Sequence, residues 1–274
     1  MPLINMTDLL GCLEVEQTGP DSWSARNIEL PDAYRVFGGQ LLAQAIAIGV
    51  SDAPGKVAKS IHVLFPREGN IALPVEFRAT RLQDGRTFSN RHLVAAQGER
   101  VIFSATLSMH ALEEGLEHQE AAPECSAPAA CTPADLAMIP LETRIEGGVD
   151  LDDRARGPAE LRFWLRAEEK LPDELPIHQA ILAHCSDLTV IATALRAHAG
   201  YSVADSPGLL HTGPTSHTLW FHRPFRMDEW VLVDQRSPVA HGARAFGGAN
   251  VYTEAGELVA SFAQESLIRV RAGS

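Results

Sequence analysis

Residues 178–195 read HQAILAHCSDLTVIATAL. Ile181, Leu182, Cys185, Leu188, Ala192 and Leu195 recur at helical spacing, which predicts one helix over the whole stretch. The opposite side, Ala180, Ala183, Val190, Ile191 and Ala194, is hardly more polar. A helix apolar on both sides is enclosed by a fold rather than laid on its surface. Asp187 is the only acid between residues 175 and 204. Beside Ala183, Val190, Ile191 and Ala194, its carboxylate must be hydrogen-bonded or hold its proton to a higher pH, because an unpaired buried charge is very costly. Enzymes tune a general base in such surroundings. A structural role, capping a neighbouring loop or pairing with an arginine, explains the residue equally well on the helix alone.

What encloses the helix is written on either side of it. Residues 161–167 (LRFWLRA) read as a strand before it, and residues 216–225, 230–236, 241–253 and 258–270 read as four strands after it. The same order occurs earlier in the chain. A strand at 23–30 precedes a helix from Gly38-Gly39 to about Val50, and strands follow at 60–66, 74–82, 87–96 and 100–111. Matching the turn glycines Gly85 and Gly242 gives an offset of 157, and the same offset sets Gln264 opposite Leu107 on the last strands. A constant offset across turn and strand argues for duplication. An antiparallel meander after a single helix buries that helix by curling around it, and two such units side by side each cover an edge of the other. Between them, residues 112–160 are rich in Ala, Pro and Glu without sustained periodicity, the composition of a connection.

Composition narrows the partners. The chain of 274 residues carries a net charge of −12, which argues against nucleic acid and anionic membranes. Twelve acids against three arginines in residues 112–160 leave nine of those charges in one segment, so an anionic ligand is compatible with the rest. No apolar run reaches the roughly 18–20 residues that span a bilayer, and the N-terminal residues lack a basic and apolar leader pattern. Cys12, Cys125, Cys131 and Cys185 have no metal-type spacing and read as reduced thiols, with no zinc site or other cofactor expected. Cys185, in an apolar helix, reads as inert packing.

Six motifs sharpen this: VFGGQLLAQA (36–45), FSNRHLVAAQGE (88–99), GLEHQ (115–119), CSDL (185–188), LWFHRPF (219–225) and ASFAQE (260–265). Together they resemble the acyl-CoA thioesterase II family of bacteria and peroxisomes, over nearly the whole chain. The resemblance implies an α+β tandem hotdog, two long helices each wrapped by a curved antiparallel sheet. Residues 1–111 would form an N-terminal hotdog, 112–160 an acidic linker, and 161–274 a C-terminal hotdog carrying the site. It further implies hydrolysis of fatty acyl-CoA to free acid and CoA, and pairing of double hotdogs into a homo-oligomer. The last residues, Ala-Gly-Ser in place of a Ser-Lys-Leu-type address, fit a cytoplasmic enzyme.

In that family an Asp, a Thr or Ser and a Gln position a water that attacks the thioester carbonyl. Carried over, the Asp is Asp187 and the Gln is Gln264. Thioester hydrolysis needs a base for the water proton, donors to orient the water and donors for the oxyanion. Gln264 offers both an acceptor and a donor, and shares a strand face with Phe262. The hydroxyl departs from the pattern: counting back from Trp220 without a gap lands on Pro214. One deletion aligns Thr215; without a bulge, Thr212 or Ser216 would share the required face. Leu107 and the acid-free helix at 36–50 leave the first half without a site, so one site per chain is expected. Arg67 and Arg223 are candidates for the CoA phosphates, though either can instead pair with a carboxylate. Two rivals remain: a non-catalytic acyl-CoA binding protein whose site has decayed at Pro214, and a hotdog enoyl-CoA hydratase, for which none of the eleven histidines sits in a hydratase-like motif. His184, one turn before Asp187, reads as a satisfied core histidine.

Overall fold

A computed structural model describes residues 3–30 and 33–271. The Ala-Gly-Ser ending therefore lies outside the described residues. In chain order the elements are α1 (Met6–Cys12), β1 (Glu16–Gly19), β2 (Ser22–Ala25), α2 (Gly38–Ser51), β3 (Val57–Leu64), β4 (Val75–Asp84), β5 (Phe88–Gln97), β6 (Arg100–His110), β7 (Thr132–Ala134), β8 (Glu142–Ile145), β9 (Glu160–Arg166), α3 (Leu175–Ser186), α4 (Thr189–Leu195), β10 (Leu210–Phe221), β11 (Val231–His241), β12 (Arg244–Thr253) and β13 (Leu258–Val270). The fold is α+β, and the strands form one antiparallel sheet in the order β1-β2-β4-β5-β6-β3-β10-β13-β12-β11-β9-β8-β7.

That order is nearly a palindrome. From the central β3·β10 pair outward, β6, β5, β4 and β2 on one side answer β13, β12, β11 and β9 on the other. Leu107 of β6 pairs with Ile61 and Arg91, and Gln264 of β13 pairs with His217 and Gly247. The duplication read from turn spacing is present in the strand pairing, with these partners one residue short of the common offset. Its offset does not extend to the helices, because the second half carries a longer connection, residues 196–209, between helix and first long strand.

Three expectations need correction. The stretch at 178–195 is not one helix: its hydrogen-bond ladder is interrupted between α3 and α4. Asp187 and Leu188 keep right-handed helical angles, but the Asp187 N–H turns to the Cys185 carbonyl, and Ser186 Oγ donates to the Ala183 carbonyl at 2.8 Å. Residues 112–160 are more than a connection, since β7 and β8 extend the sheet beyond β9. Finally, β10 begins at Leu210 rather than 216. Pro214 fits within it because β3 pairs only with Ser216–Trp220, so the missing N–H breaks no bond on that side.

The apolar character of the helices is explained by enclosure. Every residue from His178 to Asp187 is buried, and α2 buries all but one residue from Gly39 to Gly49. Helices α2 and α3 pack together, while α4 packs on β11, β12 and β13. The crossing is close: a Cβ on Gly39 would lie 2.2 Å from the His184 carbonyl oxygen. Gln179 of α3 ties the halves, accepting from Ala58 N–H at 3.0 Å and donating to Ala58 C=O at 2.8 Å.

Gly39→Ala should destabilise the protein by about 1–3 kcal/mol in urea unfolding, the usual cost of overpacking. Gly11→Ala, in α1 where a Cβ meets nothing within 4 Å, should instead stabilise it by roughly 0.5–1 kcal/mol. Equal effects at the two positions would contradict the close helix crossing.

Candidate active site

Asp187 stands where α3 ends, and α2 begins beside it. The first turn of α2 has no side chain of its own as a cap. The Asp187 carboxylate faces that turn from across the boundary between the halves, where the Gly39 N–H favours its charged form. Its Oδ2 lies so near Gly38 that a Cβ there would stand 2.6 Å away, so the glycine pair makes room for the carboxylate as well as the helix crossing. Oδ1 is buried and meets no donor among the described residues. Desolvation raises the carboxyl pKa to about 7, outweighing the Gly39 N–H and the charge of Arg35, which both lower it. Arg35 is held elsewhere: its Nη1 donates to Glu68 at 3.0 Å and to the Thr212 carbonyl at 2.9 Å.

Asp187 borders a cavity of about 700 Å³ between the start of α2, the loop after β3 and the start of β10. Its wall is largely apolar, with Val36, Phe37, Leu41, Phe65 and Ile191, and Arg35, Arg67 and Arg100 also border it. The size suits a small-molecule site, for which roughly 300–1,000 Å³ is usual.

The other expected residues divide. Thr215, Thr212 and Pro214 all border the cavity with Asp187, whereas Ser216 does not. The reason is a β-bulge: Pro214 pairs with Ser266 and Ser216 with Glu265, leaving Thr215 as the extra residue. Thr215 Oγ1 donates to the Glu265 carbonyl at 2.9 Å, and Thr212 Oγ1 bonds Ser206 Oγ at 2.9 Å. Gln264 is buried on the same strand face as Phe262, as its spacing predicts, but does not border the cavity. Its amide is engaged by His217 Nδ1 at 2.8 Å and Ser266 Oγ at 2.9 Å. Arg67 borders the cavity, with Nη1 bonded to the Val101 carbonyl at 3.3 Å. Arg223 does not border it, and Nη1 is bonded to the Leu258 carbonyl at 3.0 Å.

His184 is a core residue, with Nε2 donating to the Met138 carbonyl at 2.7 Å and burial pushing its pKa down to about 4. Burial raises the Cys185 thiol, which fits packing rather than nucleophilic attack. No group of three or more His, Cys, Asp or Glu among the described residues is placed to hold a metal ion. No helix among them is long and apolar enough to cross a membrane. Sequence reading missed His217 and Ser186, which bond each other at 3.0 Å. The inward-facing parity of β10 would have indicated His217, but the bulge at Thr215 conceals that parity.

Family models for the acyl-CoA thioesterase N-terminal and C-terminal domains match residues 28–110 and 117–268. Acyl-CoA thioesterase 2 of Haemophilus influenzae is 30% identical over 86% of this chain and 88% of its own. Human acyl-coenzyme A thioesterase 8 is 27% identical over 94% of this chain and 88% of its own. The crystal structure of an acyl-CoA thioesterase II from Mycobacterium marinum superposes with a TM-score of 0.83 at 31% identity, covering 97% of this chain and 100% of that one. A dehydratase domain of the curacin polyketide synthase, with a TM-score of 0.55 at 12% identity over 97% of this chain and 90% of that one, shares the fold alone.

A raised carboxyl pKa makes a stability prediction with a definite sign. Below pH 4 the Asp187 carboxyl holds its proton in both folded and unfolded chains. As pH rises towards 7 the unfolded chain releases it first, so stability is lost across that window. Asp187→Asn removes this loss. Above pH 7 the variant should be more stable than the parent by about 2–4 kcal/mol, converging with it near pH 4. Calorimetry at both pH values checks this, and a variant less stable at pH 8 would mark Asp187 as a structural partner instead.

Proposed function

We infer the reaction from one premise: the chain belongs to the acyl-CoA thioesterase family. It hydrolyses fatty acyl-CoA to free acid and CoA, with Asp187 as general base. The observation that carries this reading is the unpartnered, buried Oδ1 of Asp187 at the border of an apolar cavity, on a carboxyl whose pKa is about 7. A carboxylate poised near the working pH accepts a proton and returns it with little penalty in either direction.

The steps balance on that one group. Water oxygen attacks the thioester carbon while Asp187 takes a water proton. The tetrahedral oxyanion forms near the amino end of α2, whose glycines border the cavity through Gly38 and whose dipole favours negative charge. The C–S bond then breaks, and the proton held by Asp187 passes to the departing sulfur. The family resemblance assigns the orienting of the water to Gln264, which lies buried on β13 behind the cavity wall, and the nearby hydroxyl to Thr215 at the cavity. The apolar wall receives the acyl chain, and Arg67 at the cavity receives CoA phosphate charge. Cytoplasmic location and assembly into a homo-oligomer belong to this proposal by family resemblance. One observation favours the rival, an acyl-CoA binding protein without turnover: the Thr215 hydroxyl proton is committed to the Glu265 carbonyl, and Pro214 fills the family's hydroxyl position.

Release of thiol from a panel of acyl-CoAs separates the readings. The parent should release thiol, Asp187→Asn should lower kcat by about 10²–10⁴-fold, the range for a lost general base, and Gln264→Ala should lower it by about 10²-fold, as for a lost orienting donor. Tight binding without thiol release would favour the binding protein. Hydration of crotonyl-CoA would point to a hydratase, and full activity in Asp187→Asn would sink the mechanism.

A further inference from the structure

The hydroxyl of Ser186 has one proton, and its direction is fixed from the end of α3. Ala183 is fully buried, and the Asp187 N–H that would have reached its carbonyl turns to Cys185 instead. Ser186 Oγ therefore donates to the Ala183 carbonyl at 2.8 Å. Withdrawing that donor would leave a buried carbonyl unpaired, which is costly. With its proton committed, Ser186 Oγ meets His217 Nε2 at 3.0 Å as an acceptor, so Nε2 carries a hydrogen. Burial pushes the His217 pKa down to about 4, so near neutral pH the ring carries only that one. Nδ1 is left as an acceptor.

Gln264 completes the chain. As placed, its Oε1 lies 2.8 Å from His217 Nδ1 and its Nε2 donates to Ser266 Oγ at 2.9 Å. A half-turn exchanges the oxygen and nitrogen of a carboxamide with almost no change in shape, so the hydrogen-bond network decides between them. With the nitrogen towards Nδ1, that acceptor gains a donor and the carbonyl accepts from the buried Ser266 hydroxyl, which leaves one Gln264 N–H over. With the oxygen towards Nδ1, the Ser266 proton has no acceptor among the described residues, and Ser186 must abandon Ala183 to supply Nε2.

We propose that His217, held in its Nε2–H tautomer by Ser186, is a positioning residue that fixes Gln264 as a hydrogen-bond donor. One N–H of Gln264 goes to Nδ1, and the second is left to donate to the oxygen of the attacking water. This rests on the reading of Gln264 given above. A donor on the water oxygen directs the water protons towards Asp187, whereas an acceptor there would compete with Asp187 for them.

Histidine-selective ¹⁵N spectra of the full chain near pH 7.5 test the tautomer directly. The expected spectrum for His217 has a pyrrole-type Nε2 and a pyridine-type Nδ1; the reverse would overturn the proposal. Kinetics test the consequence. His217→Leu should lower kcat by roughly 10- to 100-fold, as loss of an orienting partner does, with KM unchanged and no added loss in a Gln264→Ala background. His217→Asn, whose carbonyl can stand in for Nδ1, should restore most of the rate. Losses that multiply independently would assign His217 a structural role and contradict the proposal. Full kcat in Gln264→Ala would defeat the earlier reading of Gln264, while the ¹⁵N spectrum still decides the tautomer.

Discussion

The structure depends on where one carboxylate is seated. Asp187 ends a helix of the second half and faces the amino end of a helix of the first, so the candidate site lies on the boundary between the duplicated units. Two opposing effects meet there. A helix amino end stabilises a nearby negative charge by about 0.3–1 kcal/mol, rising to ~2 kcal/mol where partly buried. Desolvating a carboxylate inside a protein costs several kcal/mol even after relaxation. The second is larger, and the carboxyl pKa rises to about 7 rather than falling. The arrangement is thus a poor way to stabilise a fold and a good way to hold a base near neutrality.

Other features follow from that seat. Gly38 and Gly39 leave space for Asp187 and for the His184 carbonyl, space that a Cβ at either position would fill. The interrupted ladder between α3 and α4 frees the Ala183 carbonyl, which Ser186 then satisfies. Through Ser186 the interruption reaches His217, Gln264 and Ser266, giving the second half a polar interior where the first half has Leu107. The two halves are similar frames, and only the helix of the second ends in a buried acid.

The architecture was legible in the sequence because it rests on repeated patterns. Two apolar helices, each followed by four alternating strands at a common offset, leave few ways to bury both helices. Asp187 was legible for a similar reason, as the only acid in thirty apolar-rich residues. What escaped the sequence was local. Ser186 and Asp187 carry no glycine or proline to announce the interruption, which arises from side chains competing for backbone groups. The bulge at Thr215 shifts strand parity by one residue, enough to remove Ser216 from the cavity and bring His217 into register with Gln264. Strands β7 and β8 were concealed by a proline-rich and acidic composition that usually marks a connection. Gln264 lies on the inward face that its spacing predicts, but its partners are His217 and Ser266 rather than Asp187, with which the family resemblance groups it.

Hydrolysis by this route requires Asp187 to act as a base in its ionised form. The most direct measurement is the pH dependence of kcat/KM for thiol release from an acyl-CoA, recorded on the parent chain from pH 5 to pH 9. A single carboxyl with its pKa at about 7 predicts a rate that climbs about tenfold per pH unit on the acid side and levels above neutrality. A profile flat across the whole range, as a carboxyl titrating near pH 4 would give, would contradict it.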